Sequence, residues 1–210
     1  SHGFSVSTPY KSKVIKYLDN KDKIVKETLS CNTVIKKQNK LFGYNTDYLA
    51  IYHILKLKIK NKKSKILILG NGAVTRSVLF ALKNLKFKNI LVCSRKQKNL
   101  PKNQFINFNK INFCKADVII NTTSLGMNIK KKDKLKINKY LIKSLSLIID
   151  FPISQKNSPF FKDVSDKNNI KYISGKEISF FQGIYQIKLY NNLNNIMKYY
   201  EILKKNLIKK

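Results

Sequence analysis

The most constraining feature of the sequence is a short apolar run at residues 65–69 that ends in a glycine turn. An uninterrupted run rich in β-branched residues is typical of a buried strand in a parallel sheet. Apolar residues then recur at spacings of three and four over residues 74–85, which predicts a helix. Strand–helix alternation predicts βαβ units, and therefore an α/β fold with a parallel sheet. Further apolar runs that predict strands occupy residues 90–93, 117–121 and 145–150.

The segments on either side differ from this central region, which we assign to residues 48–174. We expect residues 1–47 to form part of a second domain, with a helix at 14–22 and a strand at 31–35. Residues 175–210 are predicted to form one or two helices that pack back on this second domain, across a cleft from the central one. The apolar face expected of these helices consists of Phe180, Ile184, Ile187, Tyr190 and Leu193.

The glycine turn after the first central strand predicts a phosphate-binding site. Gly70 and Gly72 stand between strand and helix, where glycine lets the backbone turn tightly and approach a pyrophosphate. Thr75 stands where a third glycine would complete the usual dinucleotide-binding pattern. For two glycines alone, the alternative is a structural turn without a ligand.

The end of the second central strand indicates which dinucleotide would bind. A site for NAD has Asp or Glu at this point to hold the ribose 2′-hydroxyl. This chain has Ser94, Arg95 and Lys96 instead. Positive charge there suits a 2′-phosphate, so we predict NADP as the cofactor. The alternative for Arg95 is a solvated charge on a loop.

The formal net charge of +32 suggests a polyanionic partner at first sight. Only two of the 43 basic residues are arginines, however, and Arg is the residue that binds phosphate and guanine in bidentate fashion. The lysines are spread along the whole chain, and the AT-rich codons of Lys, Asn and Ile explain this composition. We therefore expect no specific nucleic-acid partner.

Other classes of protein are also disfavoured. No apolar run approaches the ~20 residues of a membrane-spanning helix. The three cysteines are widely separated, and together with the two histidines they form no metal-binding pattern. We therefore expect a cytoplasmic protein with reduced thiols, no metal site and no membrane association.

Six segments of the chain, in the same order, resemble the motifs of the shikimate dehydrogenase family. The resemblance covers essentially all 210 residues. The matched segments are residues 3–11 (family pattern G-x-N-V-T-x-P-x-K), 31–33 (A-V-N-T), 43–47 (G-x-N-T-D), 121–127 (N-A-T-S-x-G-M), 150–160 (D-x-x-Y-x-P-x-x-T-P-F/L) and 175–182 (G-x-x-M-L-x-x-Q).

The resemblance implies a Rossmann-like NADP-binding domain, a partial α/β substrate domain, and the reduction of 3-dehydroshikimate to shikimate with NADPH. It makes Lys11 and Asp47 the catalytic pair, since an ammonium can stabilise or protonate the oxygen of a ketone as it is reduced. A helix N-cap is the alternative role of Asp47, and the two roles are compatible. The implied substrate-binding residues are Ser7, Asn32 and Gln182. The implied cofactor-binding residues are Gly70, Gly72, Ala73, Ser94, Arg95, Lys96, Thr122 and Met127.

The chain also departs from the family pattern. Ser5 stands where the family has Asn, Ile153 where it has a Tyr that faces the substrate, and Glu177 where it has a glycine. Family chains begin well before the first motif, so we expect this one to be truncated at its N-terminus relative to them. Two alternatives remain: a quinate/shikimate-type enzyme that uses NAD, and a weakened relative with only non-specific polyanion binding. We expect a small-molecule substrate and a monomer or homodimer.

Overall fold

In a computed structural model, which describes residues 2–97, 101–125, 139–153 and 160–192, the chain divides into two units. Unit 1 consists of Ser1–Ile54 and Ser179–Lys210, and unit 2 consists of Leu55–Ile178. The division falls inside two helices, whereas the domain boundaries expected from the sequence lie at the starts of those helices.

Unit 1 contains a four-stranded mixed sheet in the order β1-β3-β4-β2. Strands β1 and β3, and likewise β3 and β4, pair antiparallel, whereas β2 and β4 pair parallel. Gln38 and Asn39 have positive φ angles of 45° and 59° and form the turn between β3 and β4. The strands are β1 His2–Ser5, β2 Asn20–Lys21, β3 Thr33–Lys37 and β4 Lys40–Tyr44.

The helix predicted at residues 14–22 is wrong. The structure has a 3-10 helix at Lys13–Tyr17, then strand β2, then a new helix, α1, at Lys23–Thr28. The reason is local, because the carboxylate of Asp22 accepts a hydrogen bond from the Val25 N–H (2.6 Å) and so starts a separate helix.

Unit 2 contains a six-stranded sheet in the order β10-β9-β8-β5-β6-β7, and all of its strand pairs are parallel. The predicted parallel sheet is therefore confirmed, and each of its four predicted strands is present. Two short strands, β7 and β10, were not expected from the sequence. The strands are β5 Ile66–Leu69, β6 Ile90–Ser94, β7 Phe105–Asn107, β8 Val118–Asn121, β9 Leu147–Asp150 and β10 Lys171–Ile173.

Helices connect these strands and cover the apolar core. The apolar face predicted for the helix at Ala73–Asn84 (α3) is confirmed at Val78, Leu82 and Leu85, which are buried, whereas Val74 is only partly buried. The central strands β5, β8 and β9 are buried along their whole length, as parallel strands covered on both faces should be. The remaining helices are α2 Thr46–Lys58, α3 Ala73–Asn84, α4 Lys139–Ser144, α5 Phe160–Asn168 and α6 Gly175–Asn191.

The apolar face predicted for the C-terminal helix is only partly right. Ile184 is buried, but Ile187 is 39% exposed, and Ile178 and Phe181 are buried instead. Apolar side chains occur on several sides of this helix, so their spacing did not determine which face is buried. Leu193 lies outside the described residues.

Candidate active site

Lys11 and Asp47, which the family motifs pair, are in direct contact in unit 1. The Lys11 Nζ lies 2.7 Å from Asp47 Oδ2, and both side chains are about three-quarters buried. The Lys11 carbonyl accepts a hydrogen bond from the Cys31 N–H (2.8 Å), which ties the turn after β1 to the chain before β3. Asp47 lies in the first turn of α2, where a negative charge is favoured by the helix dipole. This arrangement presents an ammonium group that is held by one carboxylate.

A buried polar network fixes the start of α2. Asn32 accepts from the Thr46 N–H (2.8 Å) and donates from Nδ2 to the Thr46 hydroxyl (3.0 Å). Asn45 caps the helix, since its Oδ1 accepts from the Tyr48 N–H (3.0 Å). Thr33 also donates to Asn32 Oδ1 (3.0 Å). Because α2 carries Asp47, these bonds also fix the position of the carboxylate that holds Lys11.

Helix α6 contributes two glutamine side chains to the same network. Gln182 Nε2 donates to the Thr46 hydroxyl (3.0 Å), and Gln186 Nε2 donates to the Thr33 hydroxyl (2.9 Å). The structure therefore brings two of the predicted substrate-binding residues, Asn32 and Gln182, onto one hydroxyl group. Sequence reasoning missed Thr46 and Gln186, although Thr46 stands inside the G-x-N-T-D motif.

Ser7 has a different setting. It is exposed, and its carbonyl accepts a hydrogen bond from the Tyr10 N–H (2.9 Å) in the turn that leads to Lys11. Ser5, which replaces the family's Asn, lies 3.1 Å from the Tyr190 hydroxyl, Oγ to oxygen.

Unit 2 contains a cavity of about 610 Å³ at the carboxyl ends of its central strands. This is the edge of a parallel α/β sheet where ligands bind. Ala73, the first residue of α3, does not line the cavity, and Met127 lies outside the described residues. Sequence reasoning missed Phe108, which follows the unpredicted strand β7. The cavity is lined by Gly70, Asn71, Gly72, Ser94, Arg95, Lys96, Phe108, Thr122, Thr123 and Ser124.

The two glycines of the turn differ in backbone conformation and in the space around them. Gly70 has a φ of +110°, and a Cβ at this position would lie 2.7 Å from the Thr122 hydroxyl. At Gly72 a Cβ would have open space on every side, so a ligand can approach the backbone there. The Gly72 N–H donates to the Thr75 hydroxyl (3.0 Å), which in turn lies 2.8 Å from the Thr122 hydroxyl, Oγ1 to Oγ1. Thr75 thus replaces the usual third glycine with a hydroxyl that joins the turn to the opposite wall.

The basic side of the cavity is formed by the loop after β6. The Ser94 hydroxyl donates to the Lys96 carbonyl (2.7 Å) and so shapes this loop, in which Arg95 and Lys96 are exposed. Among the described residues that line the cavity there is no carboxylate, and two cations suit the extra phosphate of NADP better than the ribose hydroxyl of NAD. The glycine turn and this cationic loop together fit a dinucleotide phosphate.

Two residues that depart from the family pattern, Glu177 and Ile153, have different surroundings. Glu177 forms an ion pair with Lys58, since its Oε1 lies 3.7 Å from the Lys58 Nζ. Ile153 is 42% exposed.

The described part of the chain has three further features. Among the described residues, no group of three or more His, Cys, Asp or Glu side chains is placed to hold a metal ion. Within the same ranges, no helix is both long enough and apolar enough to cross a membrane. Burial raises the pKa of the Cys31 thiol, and it raises the pKa of Cys93 to about 12, so neither is an activated nucleophile.

Comparison with known proteins decides the family. A shikimate dehydrogenase (NADP(+)) of Clostridium beijerinckii is 32% identical over 188 residues, which cover 87% of this chain and 69% of that protein. The chain belongs to the shikimate dehydrogenase family. A relative of the same name from Aquifex aeolicus is 33% identical, with 90% of this chain and 71% of that protein covered. Comparison with protein-family models gives no match.

Solved structures agree with this assignment. A crystal structure of a shikimate dehydrogenase in complex with NADP+ superposes with a TM-score of 0.79 at 26% identity, over 99% of this chain and 76% of that one. The family resemblance and the α/β fold with a parallel sheet, both predicted from the sequence, are confirmed.

Proposed function

We propose that this chain catalyses the reduction of 3-dehydroshikimate to shikimate with NADPH. The observation that carries the proposal is the 2.7 Å contact between Lys11 and Asp47, which stand at the catalytic positions of the family motifs. The names of the relatives support the reaction and the cofactor, since both are called shikimate dehydrogenase (NADP(+)). We assign the substrate to unit 1 and the cofactor to unit 2.

We assign the acid–base chemistry to Lys11. Reduction of a ketone places negative charge on its oxygen, and an ammonium within hydrogen-bond reach stabilises that charge and supplies the proton. Asp47 holds the ammonium in place through a charge-assisted hydrogen bond. Its second carboxylate oxygen is suited to accept a hydrogen bond from a substrate hydroxyl. Both roles require the pair to stay together, which the capped start of α2 ensures.

The polar residues around the pair are suited to bind a polyhydroxylated ring. We assign Ser7, Asn32 and Gln182 to the substrate hydroxyls. The Nδ2 of Asn32 and the Nε2 of Gln182 each carry two N–H groups. One N–H from each already goes to Thr46, which orients the amide.

NADPH, when bound, supplies the hydride. Gly70 and Gly72 allow the backbone to approach its pyrophosphate, while Arg95 and Lys96 hold the 2′-phosphate. The remaining residues assigned to the cofactor are Ala73, Ser94, Thr122 and Met127.

The proposal is tested by the choice of substrate and cofactor. The purified chain is mixed with shikimate and NADP+, and the formation of NADPH is followed at 340 nm, with NAD+ and with quinate in parallel. We expect turnover with shikimate and NADP+, and a much higher KM for NAD+ because Arg95 then has no phosphate to bind. Turnover that prefers NAD+ would establish the quinate/shikimate type instead, and no reduced cofactor from any pairing would contradict the proposal.

The location and the partners of the protein remain to be assigned. We propose a cytoplasmic monomer or homodimer without a specific nucleic-acid partner. A surface rich in lysine binds DNA through counterion release, which weakens steeply with salt. Binding to random-sequence DNA should therefore vanish near ~0.15 M salt, where surface charges are screened within about 8 Å. Tight binding that persists at this salt would contradict the assignment.

A further inference from the structure

One fully buried carboxylate has no role in the chemistry assigned so far. Asp150 ends strand β9, is 0% exposed, and belongs to a chain with only 11 acidic residues. Its Oδ1 accepts from Asn121 Nδ2 (2.7 Å), and its Oδ2 accepts from the Tyr172 hydroxyl (2.9 Å). A buried carboxylate is costly unless such bonds compensate it, so these two hydrogen bonds tie Asp150 firmly to Asn121 and Tyr172.

Asp150 fixes which way the Asn121 amide points. Asn121 is fully buried and lies opposite Asp150 in the register of β8 and β9. Asn121 Nδ2 donates to Asp150 Oδ1, so the NH₂ end of the amide faces Asp150 and the oxygen faces the other way. That oxygen accepts from the Thr123 N–H (3.1 Å) and from the Thr123 hydroxyl (2.6 Å).

The segment held in this way forms one wall of the cofactor cavity. Thr122, Thr123 and Ser124 line the cavity, whereas Asp150 and Tyr172 do not. The Thr123 hydroxyl accepts from the Leu125 N–H (3.0 Å), which closes the loop on itself. Thr122 donates to the Leu69 carbonyl (2.6 Å) at the end of β5, so the same loop also contacts the strand that leads into the glycine turn.

We propose that Asp150 is a positioning residue for NADP(H), which acts through Asn121 to place the 122–124 wall of the cavity. This inference rests on the proposed function, because the cofactor is the ligand concerned. Tyr172, which does not line the cavity, donates the second hydrogen bond to Asp150. Burial, and then the nearby charge of Asp150, raise the pKa of the Tyr172 hydroxyl, so it stays protonated and remains a donor.

The test compares Asp150→Ala with Asp150→Asn, using the dissociation constant of NADPH and the separate KM values for NADP+ and shikimate. Alanine removes the shorter of the two acceptors of Asn121 Nδ2 and leaves only the Leu125 carbonyl at 3.4 Å, so we expect NADPH to bind about tenfold more weakly. Asparagine can still accept from Asn121 and donate to the Tyr172 oxygen, so it should restore binding to within about threefold. The KM for shikimate and the kcat at saturating NADP+ should stay within about twofold.

Two further variants separate positioning from stability. Tyr172→Phe keeps the carboxylate and removes one donor, so it should weaken NADPH binding severalfold even where Asp150→Ala does not fold. Asp117→Ala is the matched control, since Asp117 accepts from the Lys65 N–H (2.7 Å) at the opposite edge of the same sheet. It should lower the melting temperature and leave NADPH binding unchanged.

These measurements separate a failure of the inference about Asp150 from a failure of the proposed function. If wild-type chain binds NADPH and turns over shikimate, but Asp150→Ala and Tyr172→Phe bind NADPH as tightly as wild type, this inference is overturned and the proposed function stands. Equal increases in both KM values for Asp150→Ala would overturn it as well. Wild-type chain that binds no NADPH would overturn both.

Discussion

In unit 2 the residues that line the cavity follow the ends of buried apolar strands, whereas in unit 1 the Lys11–Asp47 pair rests on buried hydrogen bonds. Strand β5 is buried at every position, and the register of the sheet places Gly70 and Ser94 at one edge. In unit 1, by contrast, the hydroxyl of Thr46 and the amide of Asn32 fix the start of α2. Hydrogen bonds are directional and apolar contacts are not. Substituting a few atoms should therefore have different consequences in the two units: turnover should change in unit 1, and the binding of NADP+ in unit 2.

The largest expected effect tests whether the acid–base chemistry resides in unit 1. Asp47→Asn keeps the size of the side chain but removes the charge that holds Lys11. Turnover should fall by about 100-fold or more, since a positioned general acid contributes 10²–10⁴-fold, while the dissociation constant of NADPH should not change. The control is Asp19→Asn, which removes another carboxylate of unit 1 whose bond is to the Leu41 N–H. A fall of less than threefold in Asp47→Asn would refute the assigned role.

A substitution in unit 2 should have the opposite effect, weakening cofactor binding without lowering kcat. Arg95→Ala should raise the KM for NADP+ by roughly tenfold, because the charge-assisted hydrogen bond to the 2′-phosphate is lost. The KM for NAD+ and the kcat should stay nearly constant. Lys83→Ala, which removes an exposed cation at the other end of α3, serves as the control. Equal increases in both KM values would show that Arg95 does not contact the phosphate.

A smaller effect is expected from the network beneath the catalytic pair. Thr46→Val leaves the amides of Asn32 and Gln182 without their common acceptor, which should lower the free energy of unfolding by ~1–3 kcal/mol. Thr46→Ser keeps the hydroxyl and should restore most of that stability. Urea denaturation of both variants measures the difference. Equal stability of the two variants would show that the hydroxyl is not needed.

The smallest effect is expected from the thiols. Cys31 lies in the core of unit 1 and Cys93 in that of unit 2, while Cys114 of unit 2 is half-buried and burial raises its pKa as well. Cys31 and Cys93 are fully buried, and burial raises both pKa values, that of Cys93 from 9.0 to about 12. Below pH 9 both therefore stay protonated, and thiolate forms only as the pH rises toward the raised values. Treatment with iodoacetamide at pH 8 should leave turnover unchanged, whereas rapid inactivation would contradict the burial of these groups.

Much of unit 2 could be predicted from the sequence because its signals are local. A continuous apolar run such as residues 66–69 specifies a buried parallel strand without knowledge of its neighbours. Gly70 and Arg95 were predicted in the same way, from their places at the ends of two such runs. Phe108 could not be, since the short strand before it, β7, has no strong pattern of its own.

Unit 1 was harder to predict because its interactions span long stretches of chain. Thr46 meets Gln182 across 136 positions, and no spacing rule connects them. Helix α6 carries apolar residues on several sides, so periodicity selected the wrong face around Ile187. Lys11 is one lysine among many, and only the family motif singled it out.

The most direct test of the account is Lys11→Ala, measured for both shikimate oxidation with NADP+ and NADPH binding. Lys11 lies in unit 1 and the cofactor cavity in unit 2. The variant should therefore lose at least about 100-fold in turnover while its dissociation constant for NADPH stays within about twofold of wild type. Unchanged NADP-dependent oxidation of shikimate by Lys11→Ala would contradict the assignment of the Lys11–Asp47 pair as the catalytic centre.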